Sequence, residues 1–294
     1  MAVKLATLKW GVERRLEFIE FRLFWEGGVN RSDIIEMFDV SVPQASKDLT
    51  LYQERAPHNA IYDKSAKRYV ASERFEPHFL KPDPDEYLSR LRSVAEGVVD
   101  LSESWITGLS NADIALTPRR DVEASVLRAV LGAIRDDRSL NVFYQSMSRE
   151  RPEPTWRRIS PHAFGYDGFR WHVRAYCHLT NTFKDFLLPR ILDIGELGEP
   201  GSNAKTDALW HECFDVEIGP HPDLSPAQQA VVAKDYRMEG GAAVLTVRYA
   251  MLFYVLKRLG LLGDAAKMPA RTQHIVVANF DDTAAALQKA NLTI

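Results

Sequence analysis

Cysteines and metal-binding motifs are scarce in this sequence. Only two of the 294 residues are cysteine, Cys177 and Cys213. This excludes the disulfide-rich secreted class and predicts two free, buried thiols, as a reducing compartment permits. The eight histidines form no His-Glu-x-x-His motif, and neither Cys-x-x-Cys nor Asp-x-Asp-x-Asp occurs. We therefore expect no disulfide and no metal.

Long apolar runs and hydrolase motifs are also missing. No stretch approaches the roughly 18 apolar residues that span a bilayer. Residues 1–8 are too short and too weakly apolar for a signal peptide. The sequence has neither a Gly-x-x-x-x-Gly-Lys-Ser/Thr phosphate loop nor a Gly-x-Ser-x-Gly nucleophile elbow. These absences predict a cytoplasmic protein without membrane contact, cofactor or catalytic residues.

Three helical patterns open the chain, and their spacing is typical of a helix-turn-helix. Apolar residues recur at helical period over residues 12–25, 31–38 and 42–55. Asn30 or Ser32 can cap the second helix, while Ser41 can cap the third, with Pro43 in its first turn. The run 60–70 then indicates a hairpin wing. Residues 1–80 are therefore predicted to form a winged helix-turn-helix domain.

In such a domain the start of the third helix reads base edges and the wing contacts phosphate. Ala45, Leu49 and Tyr52 are predicted to face the core. The polar or cationic residues predicted to meet DNA are Arg31, Ser32, Ser41, Pro43, Gln44, Ser46, Lys47, Lys64, Lys67 and Arg68. Residues 1–80 carry 12 Lys and Arg against 12 Asp and Glu, and the whole chain has a formal charge of −3. DNA binding must then come from local patches, and a protein-docking role stays open.

Residues 81–138 are predicted to be a helical linker. Three prolines between residues 75 and 84 interrupt any continuing helix. Helical apolar patterns then cover residues 85–100 and 121–137, and we interpret them as packing and connecting helices. Residues 105–118 show no clear pattern.

The run from Gly168 to Cys177 alternates at period two. Trp171, Val173, Ala175 and Cys177 are predicted to share an apolar core face. The opposite face carries Arg170, His172, Arg174 and Tyr176, which suits a negatively charged ligand. Shorter alternating runs occur at residues 142–146, 157–163 and 183–191. Four short strands with turn signals between them indicate a small antiparallel sheet or barrel over residues 139–195.

This region resembles a known family. Trp171-His172-Val173, followed by Leu188-Pro189-Arg190-Ile191, is similar to the WYL domain, although the family's Trp-Tyr-Leu triplet is here Trp-His-Val. The resemblance implies a small Sm-like antiparallel β-barrel with a basic ligand-binding face. The His172 variant resembles WYL regulators found beside anti-phage defence systems of the BREX and CBASS kinds. Independently, residues 41–49 resemble the recognition helix of DeoR-like repressors.

Residues 205–294 follow a Gly- and Pro-rich boundary at 198–203 and alternate between strand and helix patterns. Strands are predicted at 214–218, 242–249 and 273–279, with helices beginning after Ser225 and over residues 252–260 and 283–290. This predicts a small α/β domain. It resembles the extension that commonly follows WYL domains, and the resemblance implies a role in dimerisation. The overall fold class is α+β.

These observations predict a ligand-responsive DNA-binding regulator, by resemblance a repressor, that binds an inverted-repeat operator as a homodimer. Its effector is expected to be a nucleotide or single-stranded nucleic acid, since arginines match phosphate. The residues predicted to bind it are Tyr144, Ser146, Arg158, His162, His172, Arg174 and Arg190. A phosphodiesterase or nuclease using His162 and His172 is the enzymatic alternative, but that face supplies few acids to hold a metal.

Overall fold

The computed structural model describes residues 9–107, 112–115, 117–118 and 120–290. The chain divides into two structural units, residues 1–117 and residues 118–294. Among the described residues, no helix combines the length and apolar character that crossing a membrane requires.

The first unit contains the predicted winged helix-turn-helix. Its elements in chain order are α1 (Trp10–Trp25), α2 (Arg31–Phe38), α3 (Val42–Arg55), β1 (Ala60–Asp63), β2 (Arg68–Ala71) and α4 (Pro84–Ala95). Asn30 forms a capping box with Asp33 at the start of α2. At the start of α3, the Ser41 hydroxyl accepts a hydrogen bond from the backbone N–H of Gln44. Both bonds satisfy backbone donors that the first helical turn leaves unpaired.

A buried carboxylate ties the chain after the wing to α1. Glu20 is 0% exposed. Its oxygens accept from the backbone N–H groups of His78, Phe79 and Leu80 at 2.7–3.0 Å and from the Tyr52 hydroxyl at 3.2 Å. Four donors satisfy an anion that burial alone would strongly destabilise. Burial raises the pKa of Tyr52, and the negative charge of Glu20 adds to that effect.

Residues predicted as linker belong to the core of this unit. Trp105 and Ile106 are almost fully buried in the same cluster as Leu16, Phe18 and Ile19. The Trp105 ring makes edge-to-face contacts with Phe18 and Phe21. Tyr87 of α4 stacks 5.0 Å from Trp25. Part of the unassigned segment 105–118 lies outside the described residues.

The second unit begins with α5 (Ala124–Arg135), which packs on a five-stranded antiparallel sheet. Its strands are β3 (Ser139–Tyr144), β4 (Thr155–Tyr166), β5 (Trp171–Cys177), β6 (Thr182–Leu187) and β7 (Ile191–Gly198). They lie in the order β6-β5-β4-β3-β7. The predicted antiparallel sheet is confirmed.

The closed Sm-like barrel is not confirmed. β6 and β7 are the two outer strands of this order, and no pairing joins them in the described part of the chain. The predicted strand 183–191 ends instead at Leu187, and Leu188–Arg190 form a 3₁₀ turn. Pro189 stands in this turn and has no N–H to continue a ladder. The sequence interpretation assigned no strand to residues 192–198, where β7 extends the sheet.

The predicted apolar face of β5 is confirmed in three of four positions. Val173, Ala175 and Cys177 are 0% exposed. Trp171, expected in the core, is 54% exposed, so that prediction is wrong. Trp171 is the first residue of β5 and lies opposite Tyr166, the last of β4. The two rings pack 4.9 Å apart beyond the end of the core.

The C-terminal part forms a second, three-stranded antiparallel sheet covered by helices. Its elements are α6 (Ala208–His211), β8 (Cys213–Pro220), α7 (Pro226–Asp235), β9 (Ala243–Arg248), α8 (Tyr249–Arg258), β10 (Ile275–Val277) and α9 (Phe280–Lys289). The strand order is β10-β8-β9. Ser225 caps α7 as predicted. Cys213, predicted to be buried, is exposed at the start of β8, before the part of this central strand that pairs with β10.

Candidate functional site

The start of α3 presents its polar side chains outward. Ala45 and Tyr52 are buried at 0% and 1%, which confirms the predicted inner face of this helix. Ser41, Pro43 and Lys47 are exposed. The Lys47 side chain makes no hydrogen bond or ion pair with any residue that the structure describes. A cation in this position is available to a ligand.

Asp48 holds α3 against α1, a role that the sequence did not reveal. Its carboxylate is 1% exposed. It accepts from Arg15 Nε at 2.6 Å and Nη2 at 3.2 Å. It also accepts from Gln44 Nε2 at 3.0 Å, so the Gln44 amide is oriented before any ligand arrives. The charge-assisted bonds from Arg15 are the stronger kind.

A groove runs between α2, α3 and the wing. It encloses about 720 Å³, and its lining includes Arg31, Ser32, Ser46, Thr50 and Lys67. Arg31 Nη1 donates to Ser46 Oγ at 3.2 Å, which brings the first turn of α2 to the first turns of α3. The structure therefore brings four of the predicted DNA-binding residues to the walls of one groove: Arg31, Ser32, Ser46 and Lys67.

Two predicted DNA-binding cations of the wing, Lys64 and Arg68, differ in their exposure. Lys64 is exposed at its tip. Arg68 instead turns inward, where its Nη2 donates to the carbonyl oxygens of Gly28 and Glu26. These carbonyls lie just after α1 ends, so Arg68 joins the wing to the first helix. Its predicted role in contacting phosphate is untested, but its Nη2 already has acceptors within the unit, while its buried Nε has none among the described residues.

A buried ion-pair cluster occupies the centre of the second unit. Arg174 of β5 is 5% exposed and Asp207 is 2% exposed. Arg174 Nε and Nη2 donate to the two Asp207 oxygens at 2.7 and 2.9 Å, a bidentate arrangement. Arg174 Nη1 donates to Asp185 Oδ1 at 3.2 Å. We call Arg174, Asp185, Asp207 and His162 the central cluster.

His162 enters this cluster because of a β-bulge. The register between β4 and β5 shifts between Pro161 and Ala163, and a bulge of this sort re-aims the extra side chain. His162 Nε2 lies 3.0 Å from Asp207 Oδ2. Burial alone would raise the pKa of Asp207, but the hydrogen bonds from His162 and Arg174 outweigh it and lower this pKa to about 2.

His172 binds a different carboxylate. Its Nε2 lies 2.9 Å from Asp167 Oδ2 in the β4–β5 turn, and Arg170 Nε donates to the same oxygen at 2.9 Å. Burial opposes ionisation of Asp167, yet bonds from His172 and from two backbone amides lower its pKa to about 2. His162 and His172, predicted to face one pocket, are therefore each held by a separate aspartate.

The face carrying Arg174 is covered by C-terminal elements of the same unit. Tyr254 of α8 donates to Asp185 Oδ2 at 3.1 Å, and its ring lies 4.5 Å from that of His172. A methyl group on Gly165 would come within 2.8 Å of Met251 Sδ. The basic side chains predicted for a ligand thus meet carboxylates supplied by their own chain.

The other predicted ligand residues lie elsewhere on the sheet. Arg158 donates to Glu196 at 2.9 Å and to Ser139 at 3.2 Å. Tyr144 faces the α5 core, on the side opposite Arg174. The Gln145 amide donates to the Arg190 carbonyl at 3.0 Å, so Ser146 and Arg190 lie near that end of β3. Arg158, Arg174 and Arg190 therefore do not converge on one pocket.

Arg157 was missed by the sequence interpretation. It is 7% exposed, and its guanidinium lies 5.5 Å from the Tyr144 ring centre. Its Nη2 is buried without a hydrogen-bond acceptor among the described residues. At period two Arg157 shares the face of the buried Ile159, and this alternation is the signal that could have placed it inward.

The geometry favours binding over hydrolysis. Each histidine of the enzymatic alternative is hydrogen-bonded to a carboxylate that an arginine also binds. In the described part of the chain, no three His, Cys, Asp or Glu side chains are grouped to hold a metal ion. Arginine-neutralised aspartates are poor ligands for the metal that such chemistry recruits.

Three family models match the chain in order. They are the winged helix-turn-helix domain of the BrxR transcriptional regulator at residues 11–93, the WYL domain at residues 125–195, and the C-terminal dimerization domain of the BrxR transcriptional regulator at residues 213–283. The α+β architecture with these three domains is thereby confirmed.

Curated relatives extend over nearly the whole chain. The DNA-binding transcriptional repressor CapW of Stenotrophomonas maltophilia is 40% identical over 94% of this chain and 92% of its own. The repressor of the same name from Pseudomonas aeruginosa is 39% identical over 93% and 91%. That of Escherichia coli strain KTE188 is 36% identical over 96% and 93%. These proteins are regulators and not enzymes, and the chain belongs to this CapW family of DNA-binding transcriptional repressors.

Proposed function

We propose that the protein represses transcription as a homodimer that reads an inverted-repeat operator through α3. The observation that carries the proposal is the groove between α2, α3 and the wing, where Arg31 and Lys67 stand beside the exposed start of α3. A C-terminal dimerization domain matches residues 213–283. Two-fold symmetry would place two recognition helices on half-sites separated by a whole number of turns, each roughly 34–36 Å.

In this proposal the residues divide between reading bases and gripping the backbone. Gln44 and Lys47 read base edges, and the Asp48 contact presents the Gln44 amide in a set direction. Ser41, Pro43 and Ser46 shape the first turn of α3. The remaining predicted residues that bind phosphate are Arg31, Ser32, Lys64 and Lys67, while Arg68 joins the wing to the first helix.

A gel-shift series with the DNA upstream of the gene tests this function. Wild-type protein should form a salt-sensitive complex on that DNA and a much weaker one on random DNA. Lys47→Ala should cost about 1–3 kcal/mol on the specific site and little on random DNA. Lys234→Ala, which removes an exposed cation from the C-terminal part, should change neither. Absence of any salt-sensitive complex would support the protein-docking alternative and refute the proposal.

We also propose that the WYL domain senses a nucleotide or single-stranded nucleic acid and that this changes operator binding. The support is electrostatic and topological. The central cluster links β5 and β6 to Asp207, the residue directly before α6 and the C-terminal domain. A ligand that favours one arrangement of this cluster by about 1–3 kcal/mol would change DNA affinity five- to 150-fold.

The predicted ligand residues fall into three groups in this proposal. Tyr144, Ser146 and Arg190 stand at one end of β3, with Arg157 beside them as an additional donor. His162, His172 and Arg174 transmit the change through their aspartates. Arg158 lies apart at β7. Operator gel shifts with added cyclic dinucleotide or short single-stranded DNA test the sensing role, and no change at about 1 mM of either would refute it.

A third part of the proposal concerns the regulated genes. We propose that they belong to an anti-phage defence operon, because the His172 variant of the WYL motif resembles regulators found beside such systems. Deleting the gene should raise transcription of adjacent defence genes, and unchanged transcript levels would contradict this.

A further inference from the structure

The turn between β4 and β5 carries a cationic pocket outside the predicted ligand residues. The pocket encloses about 390 Å³, within the range for small-molecule sites. Its lining comprises Asp167, Phe169, Arg170, Tyr254, Lys257 and Arg258. The turn residues meet the last turn of α8 here.

Charge in this pocket is unbalanced. Asp167 is its one carboxylate, and both oxygens are already occupied by bonds from Arg170, His172 and two backbone amides. The side chains of Lys257 and Arg258 make no hydrogen bond or ion pair within the described residues, although Lys257 Nζ lies 5.8 Å from the Phe253 ring centre. Three cations against one saturated carboxylate leave the lining with a net positive charge, which attracts an anion.

The position of Arg258 is set by the turn. Gly168 has φ of 87°, and a methyl group on it would come within 2.6 Å of Arg258 Nε. The guanidinium therefore lies directly over the turn backbone, and a side chain at residue 168 would displace it. Its donors remain unused in this arrangement, although arginine presents five in a geometry that matches phosphate.

Exposed aromatic rings border the same turn. Phe169 is 42% exposed, Trp171 54% and Tyr166 49%. Arg120 lies 4.9 Å from the Phe169 ring centre. Exposed aromatic rings interleaved with cations are the arrangement that binds a base and its phosphate together, because every base can stack on a ring.

We propose that this pocket binds a nucleotide phosphate, with Arg258, Lys257 and Arg170 on the phosphate and Phe169 under the base. The proposal rests on the sensing function above and names its site. Tyr254 connects the pocket to the central cluster, since it lines the pocket and donates to Asp185, which binds Arg174. Occupancy of the pocket is thereby linked to Asp207 through direct contacts.

Isothermal titration of the full-length protein, without DNA, tests the site. The probes are adenosine 5′-monophosphate, adenosine, and a 5′-phosphorylated four-thymidine oligonucleotide. The two phosphate-bearing probes should bind and adenosine should not. The affinities of the mononucleotide and the oligonucleotide, compared with each other, then distinguish a free nucleotide from a strand end. Arg258→Ala and Lys257→Ala should each weaken binding about tenfold or more. Phe169→Ala should weaken it by about five- to 150-fold.

Lys234→Ala is the matched control, because Lys234 also occupies the last turn of a helix, α7. It should leave binding unchanged, and all variants should melt at the wild-type temperature. The site is refuted if neither phosphate probe binds below about 1 mM, or if Lys234→Ala weakens binding as much as Arg258→Ala. Operator gel shifts test this pocket separately from the sensing function. If a nucleotide releases the Arg258→Ala variant from DNA as readily as it releases the wild type, sensing is intact and the proposed pocket is wrong.

Discussion

Replacing Asp207 with asparagine measures how strongly the buried ion pair stabilises the second unit. The substitution keeps the shape of the side chain but removes the charge that faces the Arg174 guanidinium across 2.7 and 2.9 Å. Breaking one partner of a buried pair costs about 3–5 kcal/mol, because the other charge stays buried without compensation. Since Asp185 still accepts from Arg174 at 3.2 Å, we expect the lower end, about 3 kcal/mol.

Differential scanning calorimetry gives the measurement. For a unit of this size, about 3 kcal/mol corresponds to a fall in Tm of about 6–12 °C. Asp235→Asn is the control, because it removes the same charge from an exposed position at the end of α7. Exposed substitutions of this kind stay within about 0.5 kcal/mol.

A double variant decides whether charge or packing is responsible. Arg174→Met with Asp207→Leu removes both charges while keeping apolar volume, and replacing a buried pair in this way is often neutral or stabilising. We expect the double variant to recover part of the lost Tm, because Asp185 and His162 each still lose a partner. A shift of less than about 2 °C for Asp207→Asn alone, or a double variant as unstable as the single one, would refute the reasoning.

Three further predictions concern the wing and the acidic groups. Lys64→Ala should weaken binding to all DNA sequences alike and reduce the slope of log affinity against log salt by about one; an unchanged slope in a filter-binding series would exclude Lys64 from the interface. Arg68→Ala should lower the stability of the first unit by about 1–3 kcal/mol in urea unfolding, because its donors bind the Gly28 carbonyl; unaltered unfolding with weakened DNA binding would assign it to phosphate instead. Asp167 and Asp207 have folded-state pKa values of about 2, below the ordinary 3.8. The stability they contribute is therefore present above about pH 4 and lost as pH falls toward 2; a Tm that is constant across this window would contradict it.

The sequence was most informative where structure depends on near neighbours. The bounds of α2 and α3 agree with the predicted ranges, because their caps, Asn30 and Ser41, bond to residues three positions away. The inner positions of β5 followed from alternation alone. Such features need no knowledge of distant parts of the chain.

Long-range partners explain what the sequence did not reveal. Alternation places Arg174 on the face opposite the core, but Asp207 lies 33 residues later in the chain, and no local pattern shows that it covers that face. The bulge that re-aims His162 has no signature in a single sequence. Pro189 marked a break only in retrospect, since the continuation of the sheet in β7 depends on its pairing with β3.

The hydrogen bonds of the buried Glu20 carboxylate limit how short a fragment of the DNA-binding unit can be and still fold. A fragment that ends at residue 77 would leave the Glu20 carboxylate buried in the apolar core without the backbone N–H groups of His78, Phe79 and Leu80. One that stopped before Trp105 would remove an indole from the same interior. Fragments for reporter assays or crystallisation should therefore extend through residue 107, well past the wing, if the recognition helix is to keep its shape.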